Sequence, residues 1–224
     1  MAVCGMVLFH FLFDYNFLVA PIFVLQAGPW FWLGRLTAFA FVFLAGFSLA
    51  LRVQRKNLHG KKRWFDFAKR GAFVFALGLF LTLFSFALFP RYTIWFGVLH
   101  LIGVSTVLSV PLVMRPKAAW LLGSLVFAFG LLFSVGLLPF PDWIAVFPIS
   151  FSTFDYFPLF PWLGIFWLGI PFAHFWLKSR NNWILQGRLP WFFSNKPLAW
   201  LGRHSLWVYL AHQPVLVALI LLLF

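Results

Sequence analysis

Several histidines and acidic residues lie inside stretches of the sequence that are otherwise apolar. His10 and Asp14 are four residues apart, so on a helix they share one face, about one turn apart. A carboxylate held near an imidazole can fix the tautomer of the ring and raise its basicity, as a general base requires. The alternative is a structural polar pair that joins neighbouring helices.

A second set of polar residues follows one face of the last apolar stretch. Ser205, Tyr209 and His212 are spaced i, i+4 and i+7, which places them on the same side of a helix. Gln213 comes next, and Pro214 frees a backbone carbonyl one turn earlier, which favours a kink. We expect His212 to act in catalysis, and Tyr209 and Gln213 to contribute to substrate binding.

Three further ionisable residues are candidates. His100 has a glycine on either side, so a neighbouring helix could approach it closely; the alternative is a hydrogen-bonded core histidine. Arg35 keeps its charge and needs a carboxylate or an anionic ligand, and Asp14 is its expected partner. An interfacial arginine that reaches outward is the other interpretation of Arg35. Asp155, with Arg35, is expected to bind substrate.

The elements that position these residues must be membrane helices. Of the 224 residues, 63% are hydrophobic and 9% are charged, whereas a soluble domain has about 25% charged residues. A span takes about 20 apolar residues in helix. Seven stretches qualify, so we predict an all-α transmembrane bundle forming a single domain over residues 1–224. The stretches are Ala2–Leu25, Trp30–Leu51, Gly71–Phe89, Thr93–Met114, Ala118–Leu138, Leu159–Leu177 and Leu198–Phe224.

The orientation follows from the basic residues between these stretches. Fifteen of the 17 lie on one side, most densely from Arg52 to Arg70, and only Arg35 and Arg91 lie on the other. Basic loops collect in the cytoplasm, so the N-terminus is predicted inside and the C-terminus outside. The net charge of +13 therefore reflects topology, and nucleic acid is not expected as a partner.

Depth in the membrane groups the candidate residues. They come from four of the stretches and from the outer loop that holds Asp155, and all lie in the middle or the outer half of the membrane. We therefore expect them to line one cavity that opens outward. The broken apolar segment Pro139–Phe160, which includes Asp142, is expected to lie at the outer interface or to dip in as a lid. The expected catalytic residues are His10, Asp14, His100 and His212, and the expected substrate-binding residues are Arg35, Asp155, Tyr209 and Gln213.

Other classes of site are not favoured. The sequence has no His-x-x-x-His pattern and no cysteine cluster, so no metal site is predicted. Its single cysteine, Cys4, can form no internal disulfide. His59, in the basic loop, and His174 are expected to be incidental. No charged segment precedes the first apolar stretch, so a signal peptide is not predicted, and the chain is expected to lack a few upstream residues.

Five segments, in this order, carry a resemblance to a known family. They are HFLFD at 10–14, Arg35 with FLAGFSL at 43–49, FGVLHLIG at 96–103, DYFPLFPWLG at 155–164, and LGRHSL with YLAHQP at 201–214. Together they resemble short bacterial members of the family named after the catalytic domain of heparan-alpha-glucosaminide N-acetyltransferase, which is similar to the YeiB-type membrane proteins. The resemblance spans nearly the whole chain.

The resemblance implies a transmembrane acyltransferase that takes an acetyl group from acetyl-coenzyme A in the cytoplasm. It implies delivery to a sugar amine or hydroxyl on the far side of a bacterial inner membrane. The characterised eukaryotic member places its presumed catalytic histidine just before the second helix, but Leu25–Gly34 contains none. Members of the family also begin with an Asp followed by Arg-Gly before the first helix, and this sequence lacks that start. His10 is proposed as catalytic on chemical grounds alone.

Two further functions stay open beside the transferase. A proton-coupled transporter would also use buried Asp and His residues, although no repeated pair of broken helices supports it. A non-catalytic membrane scaffold is the third. The basic cluster from Arg52 to Arg70 could attract the phosphates of coenzyme A, or could only set the topology. Association into a homo-oligomer is also open.

Overall fold

The fold is built from apolar helices. A computed structural model describes residues 2–134, 137, 153–185 and 196–224. Within them there are eight α-helices and one 3-10 turn, Pro90–Tyr92, and no strand beyond one isolated bridge. The helices are α1 Ala2–Leu18, α2 Gly28–Lys56, α3 Gly60–Leu88, α4 Val98–Leu108, α5 Pro116–Ser134, α6 Leu159–Leu185, α7 Lys196–Arg203 and α8 Ser205–Leu223.

Five helices are long and apolar enough to cross a bilayer: α2, α3, α5, α8 and the part of α6 over Leu159–Ser179. Their outward surfaces carry large apolar side chains, such as Leu83, which is 69% exposed, and Leu222, which is 82% exposed. Water would penalise that exposure, whereas lipid tails do not. The predicted all-helical membrane fold is confirmed. The count of seven spans and their orientation stay predictions.

The first predicted stretch, Ala2–Leu25, forms a shorter helix that ends at Leu18. The side-chain amide of Asn16 bonds the backbone of Phe23 twice: Nδ2 donates to the carbonyl oxygen at 2.5 Å, and Oδ1 accepts from the backbone N–H at 2.9 Å. The side chain thus holds a turn in which Pro21 can lie without disrupting a helix. The result is a 17-residue α1.

The fourth predicted stretch, Thr93–Met114, is helical only over the 11 residues of α4. Before α4 the chain is extended, and Phe96 forms a parallel bridge with Tyr156. After α4 the residues up to Met114 form turns, because Pro111 cannot continue the ladder of helical hydrogen bonds.

The last predicted stretch, Leu198–Phe224, is divided at His204 into α7 and α8. His204 lies between the helices with ψ 12°, and its Nδ1 is 2.9 Å from the carbonyl oxygen of Trp200. The ring also stacks on Trp200, with centroids 4.4 Å apart. His204 therefore marks the junction of the two helices.

The chain forms two compact units, one of Met1–Phe41 with Arg180–Phe224 and the other of Val42–Ser179. We call them the terminal unit and the central unit. Each carries part of the candidate chemistry. That they act as a single transmembrane domain stays a prediction, and most of the segment Pro139–Phe160, including Asp142, lies outside the described residues.

Glycines let helix backbones approach within each unit. In the terminal unit a Cβ on Gly34 would lie 2.6 Å from the ring of Phe9, so α2 packs closely against α1. In the central unit a Cβ on Gly46 would overlap the carbonyl group of Phe166, so α2 packs against α6. Small residues at such crossings are typical of membrane helices.

Candidate active site

The terminal unit brings His10 of α1 and His212 of α8 together. Their rings meet edge to face, with centroids 4.7 Å apart and planes at 82°. His212 is 8% exposed, and His10 is half-buried. Both residues were predicted to be catalytic, and α1 packs directly against α8.

The backbone assigns the same tautomer to both histidines. Nδ1 of His10 lies 2.9 Å from the carbonyl oxygen of Met6, and Nδ1 of His212 lies 2.5 Å from that of Tyr209. A carbonyl oxygen only accepts hydrogen bonds, so each neutral ring must carry its proton on Nδ1. The lone pair of each ring is therefore on Nε2, the atom that could act as a base.

Asp14 is held by Gln213 rather than by Arg35 or His10. Nε2 of Gln213 donates to Oδ1 of Asp14 at 2.6 Å, which joins α1 to α8 a second time. Asp14 is only 4% exposed. Arg35 is exposed, and its guanidinium lies 5.3 Å from the ring centroid of Phe31. The expected ion pair between Asp14 and Arg35 is not formed.

This site is rich in hydrogen-bond acceptors and poor in donors. Oδ2 of Asp14, Nε2 of His212 and Oε1 of Gln213 are buried, and each lacks a hydrogen-bond partner among the described residues. Leaving such groups unpaired costs about 1–3 kcal/mol each. The arrangement therefore favours a ligand, water or substrate, that brings several N–H or O–H groups.

Tyr209 borders the same cluster. Its ring centroid is 5.6 Å from that of His212 and 6.5 Å from that of Phe41 on α2. We name the group formed by His10, Asp14, Tyr209, His212 and Gln213 the histidine cluster. Sequence spacing predicted its members within each helix, but not the bond between Asp14 and Gln213.

His100 lies in the central unit, where both of its ring nitrogens have partners. It is 1% exposed. Nδ1 accepts from the backbone N–H of Gly97 at 3.2 Å, and Nε2 lies 3.4 Å from Oγ1 of Thr82. Thr82 in turn donates to the carbonyl oxygen of Ile94 at 2.5 Å. These contacts are those of a hydrogen-bonded core histidine, the alternative interpretation of this residue.

Asp155 is also in the central unit and lies at the start of α4. Its Oδ2 accepts from the backbone N–H of Val98 at 3.0 Å. A carboxylate is favourable here because the first amides of a helix have no helical partners. A Cβ on Gly97 would overlap this carboxylate, so the Asp155 side chain would have to shift if Gly97 were replaced. The sequence pattern did not predict this contact.

The basic cluster between α2 and α3 contains an ion pair that the sequence pattern did not single out. Nε and Nη2 of Arg52 each donate to a carboxylate oxygen of Asp66 at 2.7 Å. Both residues lie outside the predicted spans Trp30–Leu51 and Gly71–Phe89. The hydrogen bonds from Arg52 hold the pKa of Asp66 below its ordinary value. In the sequence, the signal for this ion pair was that Asp66 is the single acidic residue between Arg52 and Arg70.

No group of three or more His, Cys, Asp or Glu side chains that could hold a metal ion occurs in the part of the chain that the structure describes. The central and terminal units each place their own candidate residues, as given above. That the residues of the two units line one cavity stays a prediction.

Long apolar helices whose exposed side chains are large and apolar, together with a buried polar cluster, define an integral membrane protein. Residues 1–214 match the sequence model of a family described as "Heparan-alpha-glucosaminide N-acetyltransferase, catalytic", and the chain belongs to that family. No curated protein and no solved structure shows significant similarity to the chain. The family suggests an acetyltransferase-type activity in a membrane, and the resemblance seen in the sequence is confirmed.

Proposed function

We propose that the protein transfers an acetyl group to an amine or hydroxyl, with the histidine cluster as the site of proton transfer. The observation that carries this proposal is the pair of Nε2 lone pairs on His10 and His212, both left available because Nδ1 is bound to a backbone carbonyl. A donor-poor site with two such bases suits an acceptor group that must lose a proton. Positioned general bases contribute about 10²–10⁴-fold in rate.

In the proposed reaction the acetyl group moves from the thioester sulfur to the acceptor. The acceptor nitrogen or oxygen attacks the carbonyl carbon of the acetyl thioester and passes its proton to Nε2 of His10 or His212. The new C–N or C–O bond forms, the C–S bond breaks, and the sulfur leaves as a thiolate that takes up a proton. The carboxylate of Asp14 favours the imidazolium formed in the step. An intermediate with the acetyl group on a histidine is an open alternative route.

The donor and the sidedness are parts of the same proposal. Acetyl-coenzyme A would arrive from the cytoplasm, and the acceptor, a sugar amine or hydroxyl, would lie on the outer face of a bacterial inner membrane. This requires seven spans with the N-terminus inside, so α1 and α4 would cross with their non-helical flanks. The cluster from Arg52 to Arg70 would meet the coenzyme's phosphates, unless it only sets the topology.

The remaining predicted residues receive distinct roles. Tyr209 and Gln213 would contact the acceptor, because they border the histidines. The exposed guanidinium of Arg35 is available to an anionic substrate group. His100 and Asp155 would act as positioning residues that fix the start of α4, which revises the catalytic role expected of His100 and the substrate-binding role expected of Asp155.

The test is turnover by the purified protein in nanodiscs, with radiolabelled acetyl-coenzyme A and a panel of amino sugars and hydroxyl acceptors. We expect label in an acceptor, and a loss of about 10²-fold or more in His10→Ala and in His212→Ala. Leu222→Ala is the control, because Leu222 is 82% exposed near the end of α8 and belongs to neither proposed binding region. Wild-type rates in both site variants would refute the mechanism.

Proton-coupled transport is the second candidate, and the burial of Asp14 beside two histidines favours it, since proton relays use such groups. Transport requires substrate flux into liposomes without any acetyl donor. Flux that depends on a pH gradient and is lost in Asp14→Asn would favour the transporter over the transferase.

A further inference from the structure

An apolar groove runs along the terminal unit between α1, α7 and α8. Its volume is about 470 Å³, and its walls include Val3, Val7, Phe11, Leu201, Val208 and Leu216. The groove is open along one side, so a ligand in it would lie against the helices and not be enclosed. All of these side chains are apolar, so the groove fits a hydrocarbon chain.

The residues that line the groove neighbour the histidine cluster along α1 and α8, although no member of the cluster lines the groove itself. On α8, Val208 and Leu216 lie four residues before and after His212, so all three share one helix face. On α1, Val7 and Phe11 lie three residues before and one residue after His10. A chain in the groove would therefore lie along the helix face of α8 that carries His212.

The buried acceptors decide what the other end of the occupant must carry. Oδ2 of Asp14, which is 4% exposed, and Nε2 of His212, which is 8% exposed, have no donor among the described residues. A head group with N–H or O–H donors that entered between α1 and α8 would satisfy them, and a positive head would also complement the carboxylate. A carboxylate or phosphate head, or the apolar helix of a second copy of the chain, would leave them unpaired.

We propose that the acceptor substrate is an amphiphile, with a primary amine or hydroxyl head at the histidine cluster and a long hydrocarbon tail in the groove. The proposal rests on the proposed function and narrows its substrate class. Such a molecule would reach the site laterally from the bilayer, where its tail already lies. The acetyl group would then be joined to a lipid-borne amine or hydroxyl.

Cys4 offers a readout that does not depend on activity. It is the one cysteine of the chain, it is exposed, and it lines the groove. An occupant of the groove should protect it from N-ethylmaleimide. We would measure the labelling rate of the protein in nanodiscs with dodecylamine, butylamine or dodecanoate, using Cys4→Ala to establish the background.

Dodecylamine at ten times its dissociation constant should slow labelling about tenfold, whereas butylamine and dodecanoate at the same concentration should leave the rate unchanged. Asp14→Asn should weaken protection by dodecylamine. Equal protection by dodecanoate would show that the head is not recognised, and equal protection by butylamine would show that the tail is not. Either result, or no protection at all, overturns the proposal.

Two tryptophan variants test the place of the tail. Val208→Trp fills the groove and should abolish protection by dodecylamine, while Leu222→Trp, on the 82% exposed side chain near the end of α8, should retain it. Equal protection in both contradicts the assigned groove. If Val208→Trp does not fold, the comparison of tail lengths on the wild-type protein still decides.

The two proposals can fail separately. Acetylation of water-soluble amines without protection of Cys4 by dodecylamine would overturn the amphiphile and leave the transferase standing. Protection of Cys4 by dodecylamine without transfer to any acceptor would overturn the transferase and leave an amphiphile-binding site.

Discussion

His10 and His212 meet edge to face at 4.7 Å between ring centroids, and each donates its Nδ1 proton to a backbone carbonyl of its own helix. Two helices at opposite ends of the chain thus present two imidazoles in the same tautomer. A pair that only glued the helices would be expected to bond each other directly. Here the backbone satisfies the donors, and both lone pairs remain available for chemistry.

The bond from Gln213 to Asp14 is expected to stabilise the packing of α1 against α8. Gln213→Leu leaves the buried carboxylate without its donor, so the free energy of unfolding should fall by about 1–3 kcal/mol. Replacing both residues by Leu should recover most of that loss, because no buried polar group is then left unpaired. Denaturant unfolding in detergent measures this, and strictly additive losses would contradict the coupling.

The close approach of α2 and α6 predicts a penalty for the smallest possible side chain. In Gly46→Ala the new Cβ would overlap the backbone carbonyl of Phe166, which cannot rotate away, so we expect a loss of about 1–3 kcal/mol. Gly202→Ala is the matched control, since no heavy atom lies within 4 Å of its Cβ. Thermal unfolding should separate the two variants. Equal melting temperatures would argue against the described crossing.

The carboxylate of Asp155 should order the start of α4. Asp155→Asn keeps an acceptor oxygen but loses the charge that favours a helix N-terminus, which costs about 0.3–1 kcal/mol. Asp155→Ala loses both and should cost more. Hydrogen exchange at the amides of Val98 and Leu99 reports this locally. We expect exchange to be slowest in the wild type, faster in Asp155→Asn and fastest in Asp155→Ala. Unchanged exchange in Asp155→Ala would contradict the contact.

Some of this structure could be predicted from composition and spacing, and some could not. Hydropathy predicts where helices lie, because a backbone exposed to lipid must satisfy its hydrogen bonds within its own helix or in a closed barrel. It did not predict that α1 ends at Leu18, because the cause is the bond of the Asn16 side chain to Phe23, seven residues away. The break at His204 falls within the polar residues 203–205 of a stretch that was predicted as one span.

The candidate site, like the fold, was predicted from the sequence only in part. The i,i+4 spacing places His10 and Asp14 on one helix face, and α1 and α8 pack together in the terminal unit. Spacing does not reveal partners on another helix, so Asp14 was paired with Arg35 instead of Gln213. Equally, nothing in the residues around His100 indicated that Thr82 and Gly97 would satisfy both of its nitrogens.

The ion pair between Arg52 and Asp66 predicts a dependence on pH. Its hydrogen bonds lower the pKa of Asp66 from 3.8 in the folded protein, so its stabilisation is present above that value and is lost as pH falls through the folded pKa. The pair is partly exposed, so Asp66→Asn should cost at most about 1 kcal/mol at pH 7. Unfolding at pH 7 and pH 3 tests this; the same penalty at both would contradict it.

The most direct test of the central claim is a double-variant comparison of acetyl-transfer rates. Wild type, His10→Ala, His212→Ala and the double variant would be assayed with the best acceptor, beside the control Leu222→Ala. If the two rings act as one unit, each single variant should lose about 10²–10⁴-fold, and the double variant should be little slower than the slower single one. Losses that multiply in the double variant would contradict a shared role for the two histidines.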